Sequence, residues 1–179
     1  TLPSALAAHL AISAAALALA LLVATPLVLL MPGRPWLRRT VMGLASVVQT
    51  VPALALLALF FPLLVLLRNL TGLPVPSLGL LPSLLALALY ALLPLLRGGA
   101  GGLAAVPESV RDAARAIGMS ASQRLFHVEL SLAAPVVMGG VRTAAVWTIG
   151  AATLATMVGQ ESLGDLIFAG LQLQDWQQV

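Results

Sequence analysis

Residues 107–132 read P-E-S-V-R-D-A-A-R-A-I-G-M-S-A-S-Q-R-L-F-H-V-E-L-S-L. Most of the chain's charge lies in this stretch or just beside it, and long apolar runs flank it on both sides. A polar, helix-forming segment held between two membrane spans has to face water. Pro107 suits a first helical turn, and Glu108 places negative charge near a helix N-terminus, where the dipole favours it. Arg111 and Arg115 stand four residues apart on one face, while Ala113, Ala114 and Ile117 form a compact apolar side. Gly118 fits the left-handed position that ends a helix. Ser120 to Gln123 matches a capping box that starts a second helix, which carries Leu125, Phe126, Val128, Leu130 and Leu132. Pro135 marks the entry to the next span. The expected local structure is helix, Gly turn, helix, in or near the cytoplasmic interface.

Working outward, the chain is 60% hydrophobic and 8% charged, with a mean hydropathy of +1.05. A soluble domain of 179 residues would need far more charge to cover its surface. A span needs about 20 apolar residues. Four stretches qualify: Ala5 to Met31, Val41 to Leu67, Leu78 to Leu96, and Val136 to Val158. The first is too long for a signal peptide and has no basic segment ahead of it. The expected fold class is therefore all-α, a polytopic helical domain over 1–179 embedded in the lipid bilayer, with an outer tail at 159–179.

Cysteine is absent, which excludes disulfides and thiolate metal sites, and every basic residue is arginine. Arg34, Arg38 and Arg39 lie between spans one and two. Arg97, Arg111, Arg115 and Arg124 lie between spans three and four, with Arg142 near the start of span four. Only Arg68 falls on the other side. The positive-inside rule makes both Arg-rich loops cytoplasmic and puts both visible termini outside. The basic balance thus reports topology, and no nucleic-acid partner is expected.

Two spans carry polar features. Span two contains Gln49-Thr50-Val51-Pro52, where Pro52 cannot donate to the carbonyl of Val48. A freed carbonyl beside Gln49 and Thr50 is tolerable only against protein or a watery cavity. A packing kink and a pathway lining both account for it. In span four, Gly140, Ala144, Thr148, Ala152 and Thr156 recur every four residues, with Gly139, Thr143 and Ala151 beside them. Small residues at this spacing allow close helix approach, and the stripe fits a dimer seam or a pore lining equally. The candidate pathway residues are Gln49, Thr50, Pro52, Thr143, Thr148 and Thr153.

Three readings compete for the segment 107–132: a DNA-binding helix-turn-helix, an inert amphipathic loop, and a docking element for a cytoplasmic partner. Tethering between two spans argues against the first. Docking best explains why small Ala and Gly residues accompany Phe126 and the arginines. Arg97 to Gly102, R-G-G-A-G-G, has no G-K-[ST] after it, so it is no P-loop and ATP hydrolysis must come from another polypeptide. His9 and His127 are isolated and are expected at the interface or on the docking surface rather than as metal ligands. Trp147 and Tyr90 are too few for an aromatic cage. Spans one to three show no ionisable group at mid-membrane, which argues against a proton- or sodium-coupled secondary transporter.

The segment resembles the EAA loop of permease subunits in ABC importers, whose pattern is E-A-A, three residues, G, nine residues, I-x-L-P. Here it reads Asp112-Ala113-Ala114, three residues, Gly118, nine residues, Val128-Glu129-Leu130-Ser131. Spacing is kept throughout; Asp replaces Glu, Val replaces Ile, and Ser131 replaces the closing Pro. Over roughly 49–172, Q-T-V-P-A-L-A-L-L-A-L, A-R-A-I-G-M-S, V-R-T-A-A-V-W-T-I-G-A-A-T-L-A and S-L-G-D-L-I-F-A-G look like permeases of osmoprotectant importers, which carry glycine betaine, carnitine, choline and related quaternary amines.

The resemblance implies a type I importer permease whose loop is a coupling helix seated in a cleft of the ATP-binding subunit. Asp112, Ala113, Ala114, Arg115, Gly118, Met119 and Phe126 would make that docking surface. It also implies an external substrate-binding protein, a second permease copy or paralogue, and ATP and magnesium held by the partner ATPase, with no cofactor in this chain. Another small solute such as an amino acid, or a non-transporting structural subunit, are the alternatives. Family members follow S-L-G-D-L-I-F-A-G with a further span, so the native chain is expected to continue past Val179 into a fifth span, with Trp176 at interface depth.

Overall fold

The computed structural model describes residues 2–173, and the description that follows concerns those. Helix α1, Leu2–Leu30, is apolar on every side, as a membrane-spanning helix must be. It buries Ala5, His9, Ile12, Ala16, Ala20, Ala24 and Val28, a narrow stripe at three- and four-residue spacing. Helices α2, Pro35–Thr50, and α3, Ala53–Thr71, follow; α4 is Leu80–Ala104. The short helices α5, Glu108–Ala116, and α6, Ala121–Arg124, form the polar segment. A π turn at Leu125–Glu129 leads without interruption into α7, Leu130–Ala151, which tightens into a 3-10 stretch at Ala152–Val158. Helix α8, Gly164–Leu173, closes the described chain.

Four helical units are long and apolar enough to cross a membrane: Leu2–Leu30, Ala53–Thr71, Leu80–Ala104 and Ala121–Val158. They gather around α4, which packs on α1, α2, α3 and α7. The main core joins Ala20, Ala24 and Val28 of α1 to Ala91, Leu95 and Leu96 of α4 and Ala133 and Ala144 of α7.

Several expected boundaries move. Span two is not one kinked helix over 41–67; Val51 and Pro52 adopt extended dihedrals and split it in two. Proline excludes α geometry from the residue before it, so the helix stops at Thr50, and the freed Val48 carbonyl accepts from Val51 N–H at 3.2 Å. Span three does not end at Leu96. The run Arg97 to Gly102 is helical and lies inside α4, because its glycines are where α4 meets its neighbours. A Cβ on Gly98 would stand 2.7 Å from the Cα of Gly140, and one on Gly102 would stand 3.0 Å from the carbonyl oxygen of Ala133.

The same crossing answers the question left by the small-residue stripe of span four. Gly140 touches Gly98, and Ala144, Thr148 and Ala152 are all buried within the subunit. The buried part of the stripe, Ala144, Thr148 and Ala152, seats α7 on its own chain. Pro135 sits inside α7 rather than at a helix start. The unit Ala121–Val158 has 38 residues, about 57 Å at 1.5 Å per residue. That exceeds a hydrocarbon core of about 30 Å, so the rod projects from the membrane on the side of α5. Gln174 to Val179, with Trp176, and any fifth span lie outside the described residues.

Candidate functional site

The polar segment is built as its residues dictate. Gly118 has φ +81°, the left-handed geometry that costs glycine nothing. Around it, Met119 N–H donates to the Ala114 carbonyl at 3.0 Å and Gly118 N–H to the Arg115 carbonyl at 2.9 Å, a Schellman closure of α5. The capping box also forms: Ser120 Oγ accepts from Gln123 N–H at 3.2 Å, and Gln123 Oε1 accepts from Ser120 N–H at 2.9 Å.

Charge then locks α5 to the base of the rod. Glu108 pairs with Arg111 at 3.1 Å and with Arg115 at 2.8 Å, and Asp112 with Arg115 at 2.6 Å. Hydrogen bonds from Arg111, then Arg115, hold the Glu108 carboxyl below the usual carboxylate range, and Glu108 in turn raises Arg115. Arg111 also donates to the Leu103 carbonyl at 2.6 Å and approaches buried Glu129 at 3.5 Å, so one guanidinium joins the end of α4, the start of α5 and the π turn. Arg124 meets Glu129 at 2.7 Å. Residues five apart face different directions on an α-helix; the wider π turn brings this pair together. Arg124 and Glu129 were not among the sequence-based candidates, because five-residue spacing gives no sign of a pair until the π turn forms.

The expected docking residues separate by exposure. Asp112, Ala113, Arg115, Gly118 and Phe126 are exposed and Met119 is half-buried, whereas Ala114 is buried. The apolar side expected for α5 is thus divided, because Ala114 turns inward while Ala113 and Ile117 turn out. Ile117 is 75% exposed and Phe126 57%, two large apolar groups outside the rod's packing contacts.

Within the membrane-spanning part, a groove of about 380 Å³ is lined by Gln49, Pro94, Arg97, Gly98, Gly139, Gly140, Thr143 and Trp147. A second hollow of about 400 Å³ continues it past Arg142 and Val146. Of the candidate pathway residues, Gln49 and Thr143 meet here. Gln49 Nε2 donates to the Tyr90 carbonyl at 3.1 Å, the carbonyl that Pro94, four residues on, leaves without a helical partner. Thr143 is exposed, with its hydroxyl on the Gly139 carbonyl. Thr50 bonds back to Val47, and Pro52 is where the helix breaks. Thr148 is displaced from the expected pathway: it is 1% exposed, with its hydroxyl on the Ala144 carbonyl. Thr153 belongs to the 3-10 stretch and donates to Gly150. Neither lines the groove.

His9 is not interfacial. It is 2% exposed, and its Nε2 lies 3.0 Å from the Ile149 carbonyl, next to the change from α to 3-10 geometry. His127 is exposed, with Nδ1 on the Gln123 carbonyl at 3.0 Å. His9 lies in the first third of α1 and Arg97 in the last third of α4. Among the described residues no group of His, Cys, Asp or Glu is placed to hold a metal ion.

Comparison with known proteins places this geometry. The family model described as "Binding-protein-dependent transport system inner membrane component" matches residues 16–178. The chain is 39% identical over 165 residues to the choline transport system permease protein OpuBB of Bacillus subtilis, covering 92% of this chain and 70% of that one. It is 38% identical over 167 residues to the osmoprotectant import permease protein OsmW of Salmonella typhimurium, covering 93% and 74%. The glycine betaine/carnitine/choline transport system permease protein OpuCB of Bacillus subtilis is 38% identical over 165 residues, covering 92% and 70%. Among solved structures, the MetNI methionine ABC transporter superposes with a TM-score of 0.80 over 97% of this chain and 81% of that one, at 22% identity, a likeness of fold.

Proposed function

Because the chain belongs to the family of binding-protein-dependent transport system inner membrane components, we propose that it is the multi-pass permease subunit of an inner-membrane ABC importer for osmoprotectants such as glycine betaine, carnitine or choline. The observation that carries this reading is the mechanical continuity of α5, α6 and the rod. The segment that exposes Ile117 and Phe126 is tied by Arg111, Glu129 and Arg124 to the foot of a 38-residue helical unit. That unit passes through the membrane beside the groove.

In this reading α5 and α6 dock on a separate ATP-binding subunit through Asp112, Ala113, Arg115, Gly118, Met119 and Phe126, with Ile117 added and Ala114 supporting from within. ATP and magnesium act on that partner; this chain performs no chemistry. When the ATPase pair closes, the docked segment moves. The ion pairs prevent α5 from swinging alone, so displacement passes into α7 and alters the groove it shares with α4. A second permease copy or paralogue completes the pathway, and an external binding protein delivers the solute. Gln49 and Thr143 are the expected pathway residues that line this groove.

Reconstitution with the cognate ATPase and binding protein tests this. Uptake of at least one quaternary amine, driven by ATP and dependent on loaded binding protein, is the expected result. Single cysteines at Gln49 and Thr143 should react with water-soluble thiol reagents in a nucleotide-dependent way. Uptake of amino acids but no quaternary amine would overturn the substrate assignment, and ATPase activity indifferent to this subunit would overturn the coupling role.

A further inference from the structure

Two guanidiniums stand on membrane-spanning helices, toward the cytoplasmic edge. Arg97 stands seventeen residues along α4 from Leu80, about 26 Å at 1.5 Å per residue, within a membrane core of about 30 Å. Arg142 lies close to the same level, since Gly98, next to Arg97, and Gly140, two residues before Arg142, are in contact. Both are exposed, and among the described residues neither side chain makes an ion pair or hydrogen bond. The other membrane-proximal arginines of α5 and α6 are all paired with Glu108, Asp112 or Glu129. An unanswered charge at membrane depth belongs in a watery cavity and awaits an anion. Both arginines line the adjoining hollows that share Gly139, Thr143 and Trp147.

The other end of the groove has the opposite chemistry. Trp147 is 45% exposed into it, and its ring stands 6.4 Å from that of Tyr90. An indole face attracts a quaternary ammonium, which offers no hydrogen-bond donor and is bound through its positive field. Thr143 lies one helical turn from Trp147, about 5.4 Å, between the aromatic end and the guanidiniums. Aromatic surface toward mid-membrane and positive charge toward the cytoplasmic edge are complementary to a zwitterion, ammonium trailing and carboxylate leading.

We infer that the groove between α4 and α7 is a transit subsite for a carboxylate-bearing quaternary amine, with Arg97 and Arg142 receiving the carboxylate and Trp147 the ammonium. This rests on the osmoprotectant reading and sharpens it: glycine betaine and carnitine carry the carboxylate, whereas choline has only a hydroxyl and meets the two positive charges uncompensated. The groove therefore determines specificity for zwitterions over simple cations, downstream of whatever the binding protein selects.

The test is uptake of glycine betaine and of choline by the reconstituted complex, each with the binding protein saturated, in the parent and in R97Q, R142Q and R97K. The ratio of glycine betaine to choline flux should fall about tenfold for each guanidinium neutralised, the scale of one charge-assisted hydrogen bond. Arg97→Lys, which keeps the charge, should restore part of it. Trp147→Ala should lower both fluxes, and Trp147→Phe should recover them. An unchanged ratio in R97Q and R142Q overturns the inference, even if both fluxes fall together. So does loss of the assembled complex in R97Q with rescue by R97K at an unchanged ratio, which would assign the arginines to a subunit contact. A parent complex that moves neither solute overturns the osmoprotectant reading along with it.

Discussion

Replacing Gly98 by alanine tests the central claim about the fold, that the glycines of α4 and α7 form a contact within one subunit. A Cβ on Gly98 would sit 2.7 Å from the Cα of Gly140 and 3.1 Å from its nitrogen, both of them backbone atoms that cannot turn aside. Carbon atoms pack at about 3.5–4.0 Å, so the helices must part by about 1 Å. Overpacking of this kind costs about 1–3 kcal/mol. Alanine also gains about 1 kcal/mol of helix propensity over glycine, so the raw change underestimates the clash. Gly101 supplies the control, since it lies in the same helix with nothing within 4 Å of its would-be Cβ. Gly101→Ala should stabilise slightly and Gly98→Ala should fall about 1–3 kcal/mol below it. For a chain of this size that separates their melting temperatures by roughly 2–12 °C. The assay is thermal unfolding of the purified subunit in detergent, together with its oligomeric state. Gly140→Ala should behave like Gly98→Ala, and the double variant should cost less than the sum, because one separation relieves both clashes. If Gly98→Ala melts with Gly101→Ala, or if the loss appears only as subunit dissociation, the intrasubunit crossing is wrong.

Gly118→Val forces a β-branched residue to φ +81°, at a cost of about 1–2 kcal/mol, and should abolish stimulation of the ATPase by loaded binding protein while membrane insertion is retained. Glu129→Ala leaves the guanidiniums of Arg111 and Arg124 without their shared carboxylate, and should loosen the segment by about 3–5 kcal/mol, measured as faster amide exchange in α5 and α6. Glu108 is held below its usual range, so its contribution is present above the unfolded carboxylate pKa and is lost only as pH falls through the lower folded value. Protection factors of α5, exchange corrected for its intrinsic pH dependence, should accordingly stay level between pH 7 and 5 and fall below about pH 4; loss of protection near pH 6 would contradict the pairing. Gln49→Leu strands the Tyr90 carbonyl and should cost about 1–3 kcal/mol of thermal stability, whereas Thr50→Val, whose hydroxyl serves its own exposed helix end, should be near neutral.

The fold class and the polar segment were legible in the amino-acid sequence. Composition and run length fix four membrane crossings, because water rejects so apolar a surface and hydrocarbon admits a backbone only as closed helix. The Gly118 stop and the Ser120–Gln123 box were legible because caps are local: each depends on residues three to five apart. Everything that required knowing which helix touches which was hidden. A four-residue stripe of small side chains says that something approaches closely, but Gly140 cannot announce that its neighbour is Gly98. Nor can Gln49 show that its amide answers a carbonyl freed by Pro94 in another helix. Ala114 and Ile117, three residues apart on a short helix, looked alike until packing turned one inward. Arg97 read as a loop residue because a glycine run normally ends helices; here α1 and α7 press so close on α4 that only glycine fits, and tertiary contact keeps the helix intact through it. Local hydrogen bonding is written along the chain, while proximity between distant segments is decided only when the helices pack.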